Sequence, residues 1–316
     1  MHRYVARRLL QMVPTLFGMS LAIFLMVRLM PGDVIDVLTG GDVSITPAQR
    51  ESIRRTLGLD KPLPVQYLQW VGGMATGNPG LSLRSHEPVG AILARALPIT
   101  VELVIIAVVF AVALGIPLGV ISASRRESLG DYVARVGGLI GLSMPRFWLA
   151  TLILLFTSIV FQWIPAVSFV PFLQDPLGNL SQVVIPGISV SVFVIAIVMR
   201  MTRATMLEVL SQDYVRTARA KGASRRSVTY HHALRNALIP VVTVVGFQVG
   251  TLMSGAAIVE VIFGLPGLGY TLIQAIFARD YPLVQTTTML LATMFVILNL
   301  TVDLLYGVID PRIRAG

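Results

Sequence analysis

The sequence predicts an all-α membrane protein with six transmembrane helices, and three observations carry that prediction. Only 13% of the residues are charged, against about a quarter in soluble domains. Mean hydropathy is +0.77, so apolar residues stand where charge is missing. Six apolar runs also reach bilayer-crossing length. A chain of 316 residues with 55% hydrophobic content has ample surface to bury, which excludes disorder. It has too few charges to cover that surface as a soluble globule.

The first run, 9–30, has 22 residues and follows Arg3, Arg7 and Arg8. A secretory signal would have a shorter apolar core, about 7–15 residues, and then a small-residue cleavage site. Pro31-Gly32-Asp33 follows instead, so a retained first span is expected. The segment 31–97 is too long for a mere connection. In it Thr46-Pro47-Ala48-Gln49 reads as a capped helix start, Gly58 as that helix's stop, and 64–75 as a second helix. Val65, Leu68 and Val71 are expected to share the apolar face of that helix. Gly77-Asn78-Pro79-Gly80 reads as a turn, and 89–97 as an interfacial helix leading to the second span.

The later runs are 98–122, 133–161, 183–199, 237–263 and 283–302, of 25, 29, 17, 27 and 20 residues. A crossing needs about 20, so 183–199 is the shortest but still clears the lower end of the range, while 133–161 should extend into the interface or kink at Pro145. Gly115-x3-Gly119, Gly137-x3-Gly141 and Gly246-x3-Gly250 permit close helix contact. Six crossings place both termini on one side. The segments on that side carry 16 of the 25 Lys and Arg residues, whereas the short opposite loops, 162–182 and 264–282, hold only Arg279. Basic residues stay inside, so both termini are expected in the cytoplasm. The +9 net charge is thereby assigned to cytoplasmic loops, and no nucleic-acid partner is expected.

Chemistry-bearing groups are few. With no cysteine there is no disulfide and no thiolate nucleophile or ligand. No zinc-protease, serine-elbow or phosphate-loop signature occurs. His231 and His232 are adjacent, cannot jointly chelate one metal, and read as a solvated loop pair. No catalytic residue, metal site or cofactor is expected on this chain. Arg28, Glu102, Glu260 and Asp303 stand near span ends, where snorkelling or interfacial pairing is expected. Arg146 stands near the middle of 133–161, where it would either line a polar pathway or make a bond that stabilises a kink.

The most informative stretch lies between the fourth and fifth spans. It reads Asp213-Tyr214-Val215-Arg216-Thr217-Ala218-Arg219-Ala220-Lys221-Gly222-Ala223-Ser224, a helix broken at Gly222 and followed by a second helix that enters the membrane at Pro240. A basic loop near anionic lipid would explain the charge, but not the length or the glycine elbow.

This stretch resembles the coupling loop of ABC-importer permeases, and 213–222 matches the dipeptide/oligopeptide/nickel branch throughout. Arg216-Thr217-Ala218 stands where the general family has Glu-Ala-Ala, and Arg235 where it has proline; both are habits of that branch. Pro31-Gly32-Asp33, the run from Glu260 through Phe263-Gly264-Leu265-Pro266-Gly267 to Arg279-Asp280-Tyr281-Pro282, and Asp310-Pro311-Arg312 extend the resemblance along the chain.

The resemblance implies a MetI-like permease fold and a multi-pass subunit of a bacterial inner-membrane peptide importer. It implies four kinds of neighbour: a second homologous permease, two cytoplasmic ABC ATPases, an extracytoplasmic peptide-binding protein and the lipid bilayer. It also implies contact with the ATPase through Asp213, Tyr214, Arg216, Thr217, Ala218, Arg219, Lys221, Gly222, Ala223 and Ser224. The expected organisation is 1–30 as N-terminus and first span and 31–97 as extracytoplasmic segment. A permease core follows over 98–308, with its coupling loop at 203–236, and then a tail at 309–316. A nickel chelate or a glutathione-like peptide is the alternative cargo. A secondary transporter would need acidic groups at mid-span, which are missing here, and a membrane scaffold would need no coupling elbow.

Overall fold

The computed structural model describes residues 2–29, 46–56 and 58–309. Pro31-Gly32-Asp33 and the motif at 310–314 lie outside the described residues, as does the side chain of Asp303. Among the described residues five helices are long and apolar enough to cross a membrane, and a bent pair makes six if it counts as one span. No strand occurs among the described residues. In order, the helices are α1 (His2–Arg28), α2 (Pro47–Thr56), α3 (Leu63–Ala75), α4 (Val89–Ser124), α5 (Leu129–Ser143) and α6 (Arg146–Phe161). They continue with α7 (Pro176–Leu210), α8 (Asp213–Ala220), α9 (Arg225–Phe263, with a π-helical stretch at Val228–Ala233), α10 (Leu268–Phe277) and α11 (Tyr281–Ile309). The chain divides into two compact units, Met1–Ile99 with Pro266–Ile297, and Thr100–Leu265 with Leu298–Gly316.

In the first unit, α2 begins as its sequence requires. Gln49 N–H donates to Thr46 Oγ1 at 3.3 Å, and Thr46 N–H donates to Gln49 Oε1 at 2.9 Å, a reciprocal capping box. Gly58, at φ +67°, stops the helix in the left-handed conformation. The helix α3 departs from its predicted face: Val65 and Leu68 are exposed, and Tyr67 and Trp70 pack on α1 instead. Tyr67 meets Phe24 edge-on at 5.4 Å and shares a 2.7 Å hydroxyl bond with Ser20, whereas Trp70 stacks on Phe24 at 6.2 Å. The aromatic rings bury more area there than the aliphatic side chains would. Arg28 lies over the Phe24 ring at 3.9 Å and donates to Gln66 Oε1 at 2.8 Å, so it is held by protein. The core of this unit joins Val27, Val89, Leu93 and Ala96 to Leu268, Ala275, Leu283 and Val284. Asp280, buried, accepts from the Ser82 hydroxyl and from the Leu283 N–H at the start of α11.

In the second unit α7 is the central element, with α9, α5 and α6 packed on it. It runs 35 residues, twice the predicted apolar run, because its polar flanks are good helix formers whose side chains find partners. Likewise the expected interfacial helix at 89–97 is the first part of continuous α4, which runs on through Pro98 into the span. Consequently Glu102 lies well inside a helix and accepts from the buried Asn179 amide at 3.1 Å. Glu260 is also fully buried and accepts from Thr100 Oγ1 at 2.6 Å, so it does not snorkel.

The glycines explain how closely these helices approach. A Cβ on Gly119 would sit 2.7 Å from the Met199 carbonyl oxygen and 2.5 Å from Thr202 Cβ. One on Gly138 or Gly141 would meet α7 as well, but Gly137 faces open space, so the contact pair there is 138/141 and not 137/141. Gly119→Val should therefore push α4 off α7 and cost about 1–3 kcal/mol or more by overpacking. A matching loss of melting temperature in the purified protein, with Gly137→Val unaffected, is the expected result.

Between α5 and α6 the chain turns by 113°, far more than a kink. Pro145 lacks an N–H and holds Met144 extended at ψ 135°, so no helical bond spans the junction.

Candidate functional site

The stretch singled out by its sequence forms a rigid elbow. At the end of α8 the Gly222 N–H donates to Arg219 O at 3.0 Å and the Ala223 N–H to Ala218 O at 3.1 Å. These two bonds are the Schellman pattern, with Gly222 in the left-handed position at φ +83°. Two residues later Ser224 opens α9, its Oγ accepting the Ser227 N–H at 3.3 Å. A helix stop and a helix start thus abut, leaving almost no slack between them.

Three contacts seat the elbow. Val215 is the buried residue of α8. The Tyr214 hydroxyl accepts from Asn236 Nδ2 at 2.8 Å, which docks α8 on α9. Arg225 Nη2 donates to Ser124 O at 2.6 Å, which ties the elbow to the end of α4. Beneath it Val120, Ala123, Met206, Ala233 and Ala237 form an apolar base. Between base and elbow is a cavity of about 500 Å³, lined in part by Leu210, Arg219, Ala223 and Arg225. Of the predicted residues, Asp213, Tyr214, Arg216, Thr217, Arg219, Lys221, Gly222 and Ser224 are exposed, and Ala218 and Ala223 are half-buried. The Arg216–Asp213 pair, at 3.5 Å and exposed on both sides, contributes little to stability.

His231 and His232 do not lie in a loop; they sit in the π-helical stretch, rings 5.4 Å apart. Among the described residues no group of three or more metal-ligating side chains gathers.

Arg146 belongs to a different part of the unit, at the first residue of α6. A cation there opposes the helix dipole and needs other partners. It finds them in the Thr251 carbonyl, 3.2 Å from Nη1, and in the Phe193 ring, 4.5 Å from the guanidinium carbon. Gly255 leaves the room, since a Cβ there would stand 2.7 Å from Nη1. Arg146 thus holds the turned end of α6 against α7 and α9.

Sequence reasoning missed Asp131. Its carboxylate is fully buried and accepts from Arg203 Nε at 2.9 Å, Arg203 Nη2 at 3.2 Å, the Glu127 N–H at 3.1 Å and the Ser122 hydroxyl. One side chain thereby joins the end of α4, the turn after it, the start of α5 and the C-terminal part of α7. The forked guanidinium matches the two carboxylate oxygens, which makes this the strong form of the pair. The signal was present as Ser128-x-x-Asp131, a helix start whose capping bond forms at 3.3 Å.

Comparison with known proteins identifies the family. Residues 115–315 match the family model of the binding-protein-dependent transport system inner membrane component, and residues 1–104 match the model of its N-terminal region. The dipeptide transport system permease protein DppB of Escherichia coli K12 is 42% identical over 337 residues, covering 99% of both chains. The di/tripeptide transport system permease protein DppB of Pseudomonas aeruginosa is 42% identical over 331 residues, covering 98% of both. In fold, the chain is similar to an inward-facing structure of the MetNI methionine ABC transporter, with TM-score 0.58 and 19% identity over 69% of this chain and 96% of that one. An all-α membrane chain matched along nearly its whole length therefore belongs to the binding-protein-dependent transport system inner membrane components, the permeases of ABC importers.

Proposed function

We propose that this chain forms half of the translocation pathway of an ATP-driven importer of short peptides. The observation that carries this reading is the exposed elbow, closed by a left-handed glycine and seated on three helices, in a chain 42% identical to dipeptide permeases. A permease with no nucleotide site of its own receives force through a rigid contact. The elbow is the element suited to it, with Asp213, Tyr214, Arg216, Thr217, Ala218, Arg219, Lys221, Gly222, Ala223 and Ser224 facing a cytoplasmic ABC ATPase. The complete assembly has a second homologous permease, two such ATPases and an extracytoplasmic peptide-binding protein. ATP is hydrolysed by the partners, and cargo is selected mainly by the binding protein.

The chain sits in the bacterial inner membrane with both termini in the cytoplasm. Residues 31–97 and 162–182 lie outside and 203–236 inside, in keeping with the asymmetry of basic residues. Single cysteines at Ser52 and Leu173 should react with an impermeant thiol reagent in intact cells, and one at Ser227 only after the membrane is breached. Labelling of Ser227 from outside would overturn the orientation. ATP-dependent peptide uptake in vesicles holding all the subunits, lost when the ATPases are omitted, is the test of function.

A further inference from the structure

The first unit contains a cavity of about 310 Å³ that the translocation reading does not use. Its lining includes Arg28 at the end of α1, Gln66 and Trp70 on α3, the turn at Asn78 and Gly80, and Gln285 on α11. Gly73 lets that turn close the wall, since a Cβ there would stand 2.6 Å from the Asn78 carbonyl oxygen.

Two of the lining groups are unmet donors. Gln285 is 4% exposed, and its Nε2 has no hydrogen-bond partner among the described residues. The Trp70 Nε1 is buried and in the same condition. A buried amide and a buried indole N–H without acceptors are rare enough to need a reason, and an indole can only donate. Arg28 adds a fixed cation with five N–H donors, one of which goes to Gln66. No Asp or Glu occurs among the lining residues. Donors of three kinds and one positive charge around a small volume describe a receptor for an oxyanion.

We propose that this cavity binds the phosphodiester of a phospholipid headgroup. The position favours lipid over other oxyanions. The cavity lies where α1 ends and α11 begins, the level at which Trp, Tyr and Arg anchor a span at the membrane boundary. Leading up to it, α1 and the residue after it turn outward Leu21, Leu25, Met26 and Leu29, four side chains that the protein leaves exposed. Acyl chains lying along that face deliver the headgroup to Arg28. A basic pocket beside membrane helices is the usual form of a specific lipid site.

The test uses the purified importer, stripped of lipid and titrated with radiolabelled dioctanoyl-phosphatidylglycerol. One saturable class of site per copy of this chain is expected. Arg28→Gln should weaken it at least tenfold, the effect of removing a charged hydrogen bond. Gln285→Met, which keeps volume and removes the amide, should weaken it about threefold. Melting curves on both variants verify that they fold. Dioctanoylglycerol, which lacks phosphate, should fail to compete. If it competes equally, the cavity reads acyl chains and the oxyanion assignment falls. Displacement by inorganic phosphate alone would make the ligand a free anion, and displacement by dialanine would make it a peptide carboxylate; either overturns the lipid assignment. Unchanged binding in both variants would remove the site altogether.

Discussion

Gly222→Val is expected to abolish uptake while leaving the protein at its normal abundance in the membrane. The glycine holds φ +83°, and an added Cβ would meet nothing within 4 Å, so the obstacle is conformational and not steric. A left-handed residue with a Cβ costs about 1–2 kcal/mol, and a β-branched one is at the upper end. That is little against the stability of the whole chain. It is large for α8, an eight-residue helix far below the ~12–15 residues that sustain an isolated helix. The strain is relieved by opening the last turn, which loses the Ala223-to-Ala218 bond and moves the exposed face. ATPase activity should then no longer respond to loaded binding protein. Gly222→Asn supplies the control, because asparagine adopts the left-handed cap readily and should retain most of the uptake. Normal transport by the valine variant would refute the elbow's role. An asparagine variant as inactive as the valine one would show that a side chain, not the backbone angle, is what the partner rejects.

Asp131→Ala is expected to be the most destabilising single change in the second unit. It leaves Arg203, with 23% of its side chain exposed, without its carboxylate, and strands the Ser122 hydroxyl and the Glu127 N–H. Removing one partner of a buried pair costs about 3–5 kcal/mol, most of it the penalty of the charge left behind. Asp131→Ala with Arg203→Met together should cost clearly less than the sum of the two single changes, since the second removes the stranded charge. Thermal unfolding of the four purified proteins measures this cycle directly. Additive losses would mean that the two side chains do not interact across the gap between α5 and α7.

These two sites differ in how they are encoded. Gly222, Thr46 with Gln49, and Gly58 act through neighbours within five residues, and local backbone chemistry allows few alternatives to a cap or a stop. The spans were equally legible, because a bilayer demands a minimum apolar length whatever the rest of the fold does. For these features sequence alone determined the outcome: an all-helical membrane chain, a capped helix between the first two spans, and a helix–glycine–helix elbow.

Tertiary structure decided what depends on the register of one helix against another. The break at Pro145 was written in the chain, but the 113° turn arises where Arg146 reaches Thr251 and Phe193, on helices far along the sequence. Asp131 and Arg203 are 72 residues apart, and Thr100 and Glu260 are 160 apart. Of these four only Glu260 carried an expectation, as a charge near a span end that could snorkel or pair at the interface. Inside the protein water is absent, so such groups must find one another, and only the packing of the helices says which pairs can meet.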